Sequence, residues 1–152
     1  LVGDHPELNK QMASIYLAIA ILDNFLGDDW LKKFVLPGAK VKNVLTQTES
    51  DPTSDATEQL RLVDLAEVMF NLQPVPGFTN CIARLQQGDI EGTLAELDLG
   101  RMLFINGVPL RYVIPEGTKG TDYDMVVQFK NGQYGCVDAK CKVEGSSFSQ
   151  LL

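Results

Sequence analysis

Apolar positions in the first two thirds of the chain recur at helical spacing. Leu8, Met12, Ile15, Ile19, Leu22 and Leu26 form one such stripe, running to Gly27. It opens on Asp4 and Glu7 with Pro6 between them, a helix-start signature. A short helix is predicted over 28–35, closed by Pro37-Gly38, and residues 46–57 form a polar loop. Asp55 and Glu58 make a second capping box for a helix with Leu60, Val63, Leu65, Val68, Met69 and Leu72 on its apolar positions. Pro74 and Pro76-Gly77 stop it. A short helix around 81–85 ends at Gly88, and Asp89 caps the next, from Ile90 to Ile105.

At Gly107 the period changes from helical to alternating. Residues 108–114 and 122–129 read as strands joined by a Gly-rich connection, and 134–142 as a third. Asn131-Gly132 between the last two favours a type I′ hairpin. Helices followed by an antiparallel meander make the fold class α+β.

Alternation of side chains places Asp122, Asp124 and Val126 on one face of the second strand. Cys136, Asp138, Lys140 and Lys142 share a face of the third. The hairpin makes these strands neighbours, so Asp124 and Asp138 can converge with Lys140 one pleat further along. Two such carboxylates suit a hard divalent cation, Mg²⁺ or Mn²⁺, that takes oxygen ligands and keeps waters for a substrate. The plainer alternative is a solvated strand face with a weak surface ion pair. Against it stands the cost of like charges placed side by side without a counter-ion.

Asp124-x13-Asp138-x-Lys140, preceded by an acidic helix and a Gly-rich connection, resembles the PD-(D/E)xK nuclease superfamily. The resemblance covers residues 91–142 and implies a restriction-endonuclease-like core of helix and three-stranded meander. It implies a metal held by Asp124 and Asp138, Lys140 orienting the attacking water, and Glu96 as the first-helix acid that joins the metal site, as a ligand or through a water, with Glu91 and Asp98 as rivals. Three features depart from the family pattern. Tyr123 stands where Pro is usual, Asp122 competes for the first carboxylate, and the second is Asp rather than Glu. On this reading residues 1–88 are a helical N-terminal region and 89–152 a nuclease-like core. That core is expected to be incomplete at its C-terminal end, because its second helix would start near residue 143. The rival expectation is a non-catalytic protein-interaction or structural domain on the same fold.

Other chemistry is poorly supported. His5 is the single histidine of the chain, which disfavours Ser-His-Asp and Cys-His catalysis. A zinc site would need it together with Cys81, Cys136 and Cys141, yet Cys136 and Cys141 point to opposite faces. Three cysteines without a pattern suggest reduced thiols and a cytoplasmic protein. The run from Met12 to Leu22 falls well short of the ~20 residues that a membrane span needs. Trp30, Phe25 and Phe34 read as core, and Lys32, Lys33, Lys40 and Lys42 as a solvated cluster.

Charge then changes the picture. The 152 residues are 45% hydrophobic and carry 13 Lys and Arg against 20 Asp and Glu, a net charge of −7. A basic nucleic-acid-wrapping protein is disfavoured. The acidity is segregated, however. Residues 1–107 hold eight basic and fifteen acidic side chains, and residues 108–142 hold five and four. Lys119 and Lys142 are the candidate contacts to a nucleic-acid backbone. The remaining grip is expected from additional sequence or a partner; a protein partner or a second copy fits as well.

Overall fold

A computed structural model describes residues 6–41, 43–46, 54–118, 120 and 122–140. It is α+β, with five helices and a three-stranded antiparallel sheet among the described residues. The chain divides into two compact units, residues 1–71 and 72–152.

The first unit holds α1 (Pro6–Leu26), α2 (Asp28–Phe34) and nearly all of α3 (Ser54–Leu72). Gly27, at φ 89°, lets the chain turn from α1 straight into α2. Leu22, Leu26, Trp30, Leu31 and Phe34 are buried, as the periodicity predicts. The Trp30 and Phe34 rings lie 5.3 Å apart. Both therefore belong to the core, and Lys33 rests 4.8 Å over the Phe34 ring. Asn43 is buried after α2 and fully used: its amide donates to Phe34 O and Val41 O, and its Oδ1 accepts from Leu45 N. Met12 and Leu60 depart from their stripes and are exposed. Gln11 donates to Gln59 one position earlier in each helix, so a polar contact joins α1 and α3 there. The Asp4 and His5 positions, Lys42 and the loop over 47–53 lie outside the described residues.

The second unit holds α4 (Phe78–Gln87), α5 (Ile90–Ile105), β1 (Leu110–Tyr112), β2 (Met125–Gln128) and β3 (Tyr134–Val137). It takes in α4, which a division at residue 88 leaves with the helical region. The cause is packing: α4 lies against α5 and β1, and α5 against β1. Gly77 makes this approach feasible. It has φ 82°, and a Cβ there would sit 2.9 Å from the carbonyl carbon of Tyr112, while Tyr112 N donates to Pro76 O at 2.9 Å. The buried face of α5 is Ile90, Thr93, Glu96, Leu97 and Gly100, a helical stripe with one carboxylate in it. Asp89 is the N-cap residue but makes no side-chain cap bond. Its carboxylate is taken instead by the Arg84 guanidinium, a stronger, charge-assisted acceptor role.

The sheet runs β1-β2-β3, and its strands are shorter than the alternation suggests. The hairpin also differs from a type I′ turn. Asn131 does not have positive φ, whereas Gly132 does, at 81°. Gly132 N donates to Phe129 O and Phe129 N to Gln133 O, the pattern of a three-residue loop with a glycine bulge. Asn131 stabilises it locally, its Oδ1 accepting from Gln133 N. No helix among the described residues is long and apolar enough to cross a membrane.

Candidate functional site

The hairpin fixes which acidic residues meet. Met125 faces Val137, Val126 faces Cys136, Val127 faces Gly135 and Gln128 faces Tyr134. Just before β2 the register slips: Asp124, like Met125, lies against Val137, and its side chain meets that of Asp138. Backbone bonds hold the position: Asp124 N donates to Val137 O, and Val113 N donates to Asp124 O, both at 3.0 Å. The Asp124 carboxylate also accepts from Ala139 N at 2.6 Å. Asp124 is thus clamped on three sides at the end of the sheet.

The two carboxylates are near enough that each shifts the other's pKa. Burial raises the Asp124 pKa, and the hydrogen bond with Asp138 raises it further, against the lowering effect of Ala139 N–H. The Asp138 pKa is lowered by its hydrogen bond to Lys140 and then by that to Asp124. Lys140 Nζ lies 2.5 Å from Asp138, with both side chains largely in water, so Asp138 holds the ammonium charged. That contact alone is the surface ion pair of the plainer alternative. The neighbouring Asp124 is what distinguishes this site from one.

From α5, Glu96 faces the same region. It is 5% exposed, and the Asp124 charge adds a small upward push to its pKa. Burial raises the Glu96 pKa, while hydrogen bonds from Arg84 pull it down. Both Glu96 oxygens accept from Nη1 of Arg84, at 2.5 and 2.6 Å. Burial disfavours the Arg84 charge, but the bonds to Glu96 and Asp89 outweigh it and raise the pKa. The rival acids are engaged elsewhere. Asp98 pairs with Arg101 at 3.5 Å, and Asp122 accepts from Glu116 N at 3.0 Å. Glu91 is half-buried in the first turn of α5.

Arg84 escaped the sequence-based expectations, although a signal for it exists. It follows Cys81 and precedes Leu85 on the buried side of α4. A lone cation there answers the lone acid on the buried stripe of α5. Lys119, Lys142 and Cys141 lie outside the described residues.

Among the described residues no three His, Cys, Asp or Glu side chains gather into a group that could hold a metal. The site therefore offers a pair of carboxylates, with a third acid already held by an arginine. Two carboxylates near enough to shift each other's pKa are a donor set that fits a hard cation. Mg²⁺ in particular is bound through one or two carboxylates and completes its shell with water and substrate oxygens. No protein-family model, no curated protein and no solved structure matches the chain.

Proposed function

We propose that the second unit is a metal-dependent phosphodiesterase centre on a restriction-endonuclease-like core, acting on nucleic acid in the manner of the PD-(D/E)xK nucleases it resembles. The observation that carries this reading is the facing of Asp124 and Asp138 with Lys140 on the outer carboxylate. Asp124 and Asp138 would hold Mg²⁺ or Mn²⁺. When bound, such a cation supplies Lewis-acid stabilisation of the charge that grows on a phosphoryl oxygen. Lys140, kept as an ammonium by Asp138, donates hydrogen bonds that orient the attacking water and a phosphate oxygen. Glu96 adds negative charge behind Asp124 and assists through that carboxylate. Nucleic-acid affinity comes in part from additional sequence or a partner, since the basic residues near the site are few.

Lys140→Ala and Asp138→Ala are each expected to abolish Mg²⁺-dependent cleavage of single- and double-stranded substrates while far-UV circular dichroism stays unchanged. Undiminished cleavage in either variant overturns the assignment.

A second reading, a non-catalytic interaction domain on the same fold, is favoured by the exposed Met102, Phe104 and Ile105 at the end of α5. Metal titration separates the two. Saturable Mn²⁺ binding that is lost in Asp124→Ala supports the enzyme, and no binding supports the interaction domain.

A further inference from the structure

The first unit holds a cavity of about 600 Å³, bounded by α1, the chain that follows α2, and α3. Sites for small molecules span roughly 300–1,000 Å³. The walls are mainly apolar, with Ile15 and Ile19 from α1, Leu36 from the turn after α2 and Leu62 from α3. Ile15 and Ile19 belong to the apolar stripe of α1, yet they stay half-buried, whereas Leu22 and Leu26 further along it are buried. The stripe is thus completed by core at one end and opens on the cavity at the other. The hydrogen bond from Gln11 to Gln59 ties α1 to α3 beside this space. A space crossed by such a tie suits a compact molecule better than a helix, which lays a long apolar face into an open groove.

Three polar side chains line the cavity: Thr46, Glu58 and Gln59. Thr46 Oγ1 accepts from Asn43 N at 3.3 Å and donates to Asn43 O at 3.4 Å. Gln59 Oε1 accepts from Gln11. Glu58 is half-buried, and among the described residues its carboxylate has neither a hydrogen bond nor an ion pair. It is the fifth residue of α3, too far in to act as a capping-box acid, whose place is the third. Arg61, one turn on, is taken by Val44 O at 2.7 Å, and no basic side chain lines the cavity.

We propose that this cavity binds a small organic cation, an ammonium group on an alkyl or aryl-alkyl body. The ammonium pairs with Glu58, and the body covers Ile15, Ile19, Leu36 and Leu62. Charge selects the guest. A carboxylate at the edge of an apolar space gains a charge-assisted hydrogen bond from a cation. A neutral guest of the same shape covers it without pairing it, and an acid is repelled. The site lies wholly in the first unit, apart from Asp124 and Asp138, and does not depend on the phosphodiesterase reading.

The test uses the full chain with three guests of one shape: 4-phenylbutylammonium, 4-phenylbutanol and 4-phenylbutanoate. Calorimetry gives affinity, amide chemical shifts locate the guest, and circular dichroism checks folding. The ammonium is expected to bind wild type about tenfold more tightly than the alcohol, with shifts centred on Ile15, Ile19, Leu36 and Leu62. Glu58→Gln should remove that preference and leave the alcohol within about twofold of its wild-type Kd. Leu62→Trp, which fills the cavity, should abolish binding of both; if it does not fold, Ala39→Leu is used, with at least a tenfold loss expected.

The proposal is overturned by equal affinity for the three guests, by an undiminished preference in Glu58→Gln, or by shifts that fall elsewhere. Absence of saturable ammonium binding also overturns it. A wild type that ignores the ammonium but takes up a Lys- and Leu-rich helical peptide at the same residues would assign the cavity to a protein partner instead.

Discussion

The Asp124 and Asp138 side chains meet just past the end of the β2–β3 ladder, near enough for each to shift the other's pKa. Burial and the neighbouring carboxyl both push Asp124 upward, while Lys140 pulls Asp138 down. An arrangement that sets two acids face to face is unfavourable for the fold on its own. It becomes useful once something positive sits between them.

The first prediction concerns that cost. Asp124→Asn removes one of the facing charges yet keeps an oxygen to accept from Ala139 N. In metal-free buffer its stability should match or exceed that of wild type, by up to about 1 kcal/mol, the scale of a cross-strand like-charge pair. Urea denaturation measures this, and a loss above that size would show that the pair stabilises the fold. In the same variant Mg²⁺ should no longer raise the melting temperature.

Cation binding should also depend on pH. Asp124 has to be deprotonated to act as a ligand, and its pKa is raised above the ordinary 3.8. Mn²⁺ affinity is therefore expected to be full above the raised value and to fall as pH decreases through it. Asp138, shifted downward, stays ionised further into acid and does not limit the process. Calorimetric titrations from pH 4 to 7 check this, and pH-independent affinity would contradict it.

Tyr112 offers a test of the packing beneath the site. It is buried, and its hydroxyl has no hydrogen-bond partner among the described residues. Gly100 of α5 leaves room for that ring: a Cβ there would run into the hydroxyl and stand 2.9 Å from Cζ. Gly100→Ala should cost about 1–3 kcal/mol by overpacking. Tyr112→Phe should be close to neutral, because it removes an unsatisfied polar group. Combined, the two should recover part of the loss. Strict additivity in a double-mutant cycle would argue against the contact.

The cysteines make a separate prediction. Burial raises the Cys81 thiol from its ordinary 9.0 to about 12, and burial also raises Tyr112. Both groups keep their protons in the folded state at a pH where the unfolded chain has released them. Their contribution to stability is thus complete below the ordinary values and is lost as pH rises towards the shifted ones. The urea midpoint should fall between pH 8 and 11, and a flat profile would refute this. In native buffer iodoacetamide should modify exposed Cys136 and spare Cys81 until the protein unfolds, as peptide mass mapping would show.

Much of this architecture is legible in the residues. Helical periodicity and the Pro and Gly stops locate α1 to α5 because burying one face of a helix demands that spacing. The change to alternation at Gly107 locates the sheet for the same reason. Less legible were the strand limits and the turn. Whether Asn131-Gly132 closes a two- or a three-residue loop depends on backbone bonds to Phe129 and Gln133. The turn sets the β2–β3 register, but Asp124 and Asp138 meet beyond a one-residue slip in it, where Asp124 as well as Met125 lies against Val137.

What the sequence by itself determined was the α+β class, the burial of its apolar stripes and the hairpin that makes the Asp124 and Asp138 strands neighbours. These rest on local periodicity and on turn residues, which need no knowledge of distant contacts. Only the tertiary structure decided the fate of Glu96 and Asp89. On the sequence one is a helix acid available to a metal and the other a helix cap. In the fold, α4 packs on α5 and brings Arg84 to both. A guanidinium fork outbids water and backbone N–H groups for carboxylates at that depth, and no spacing rule along the chain records which helix will deliver it.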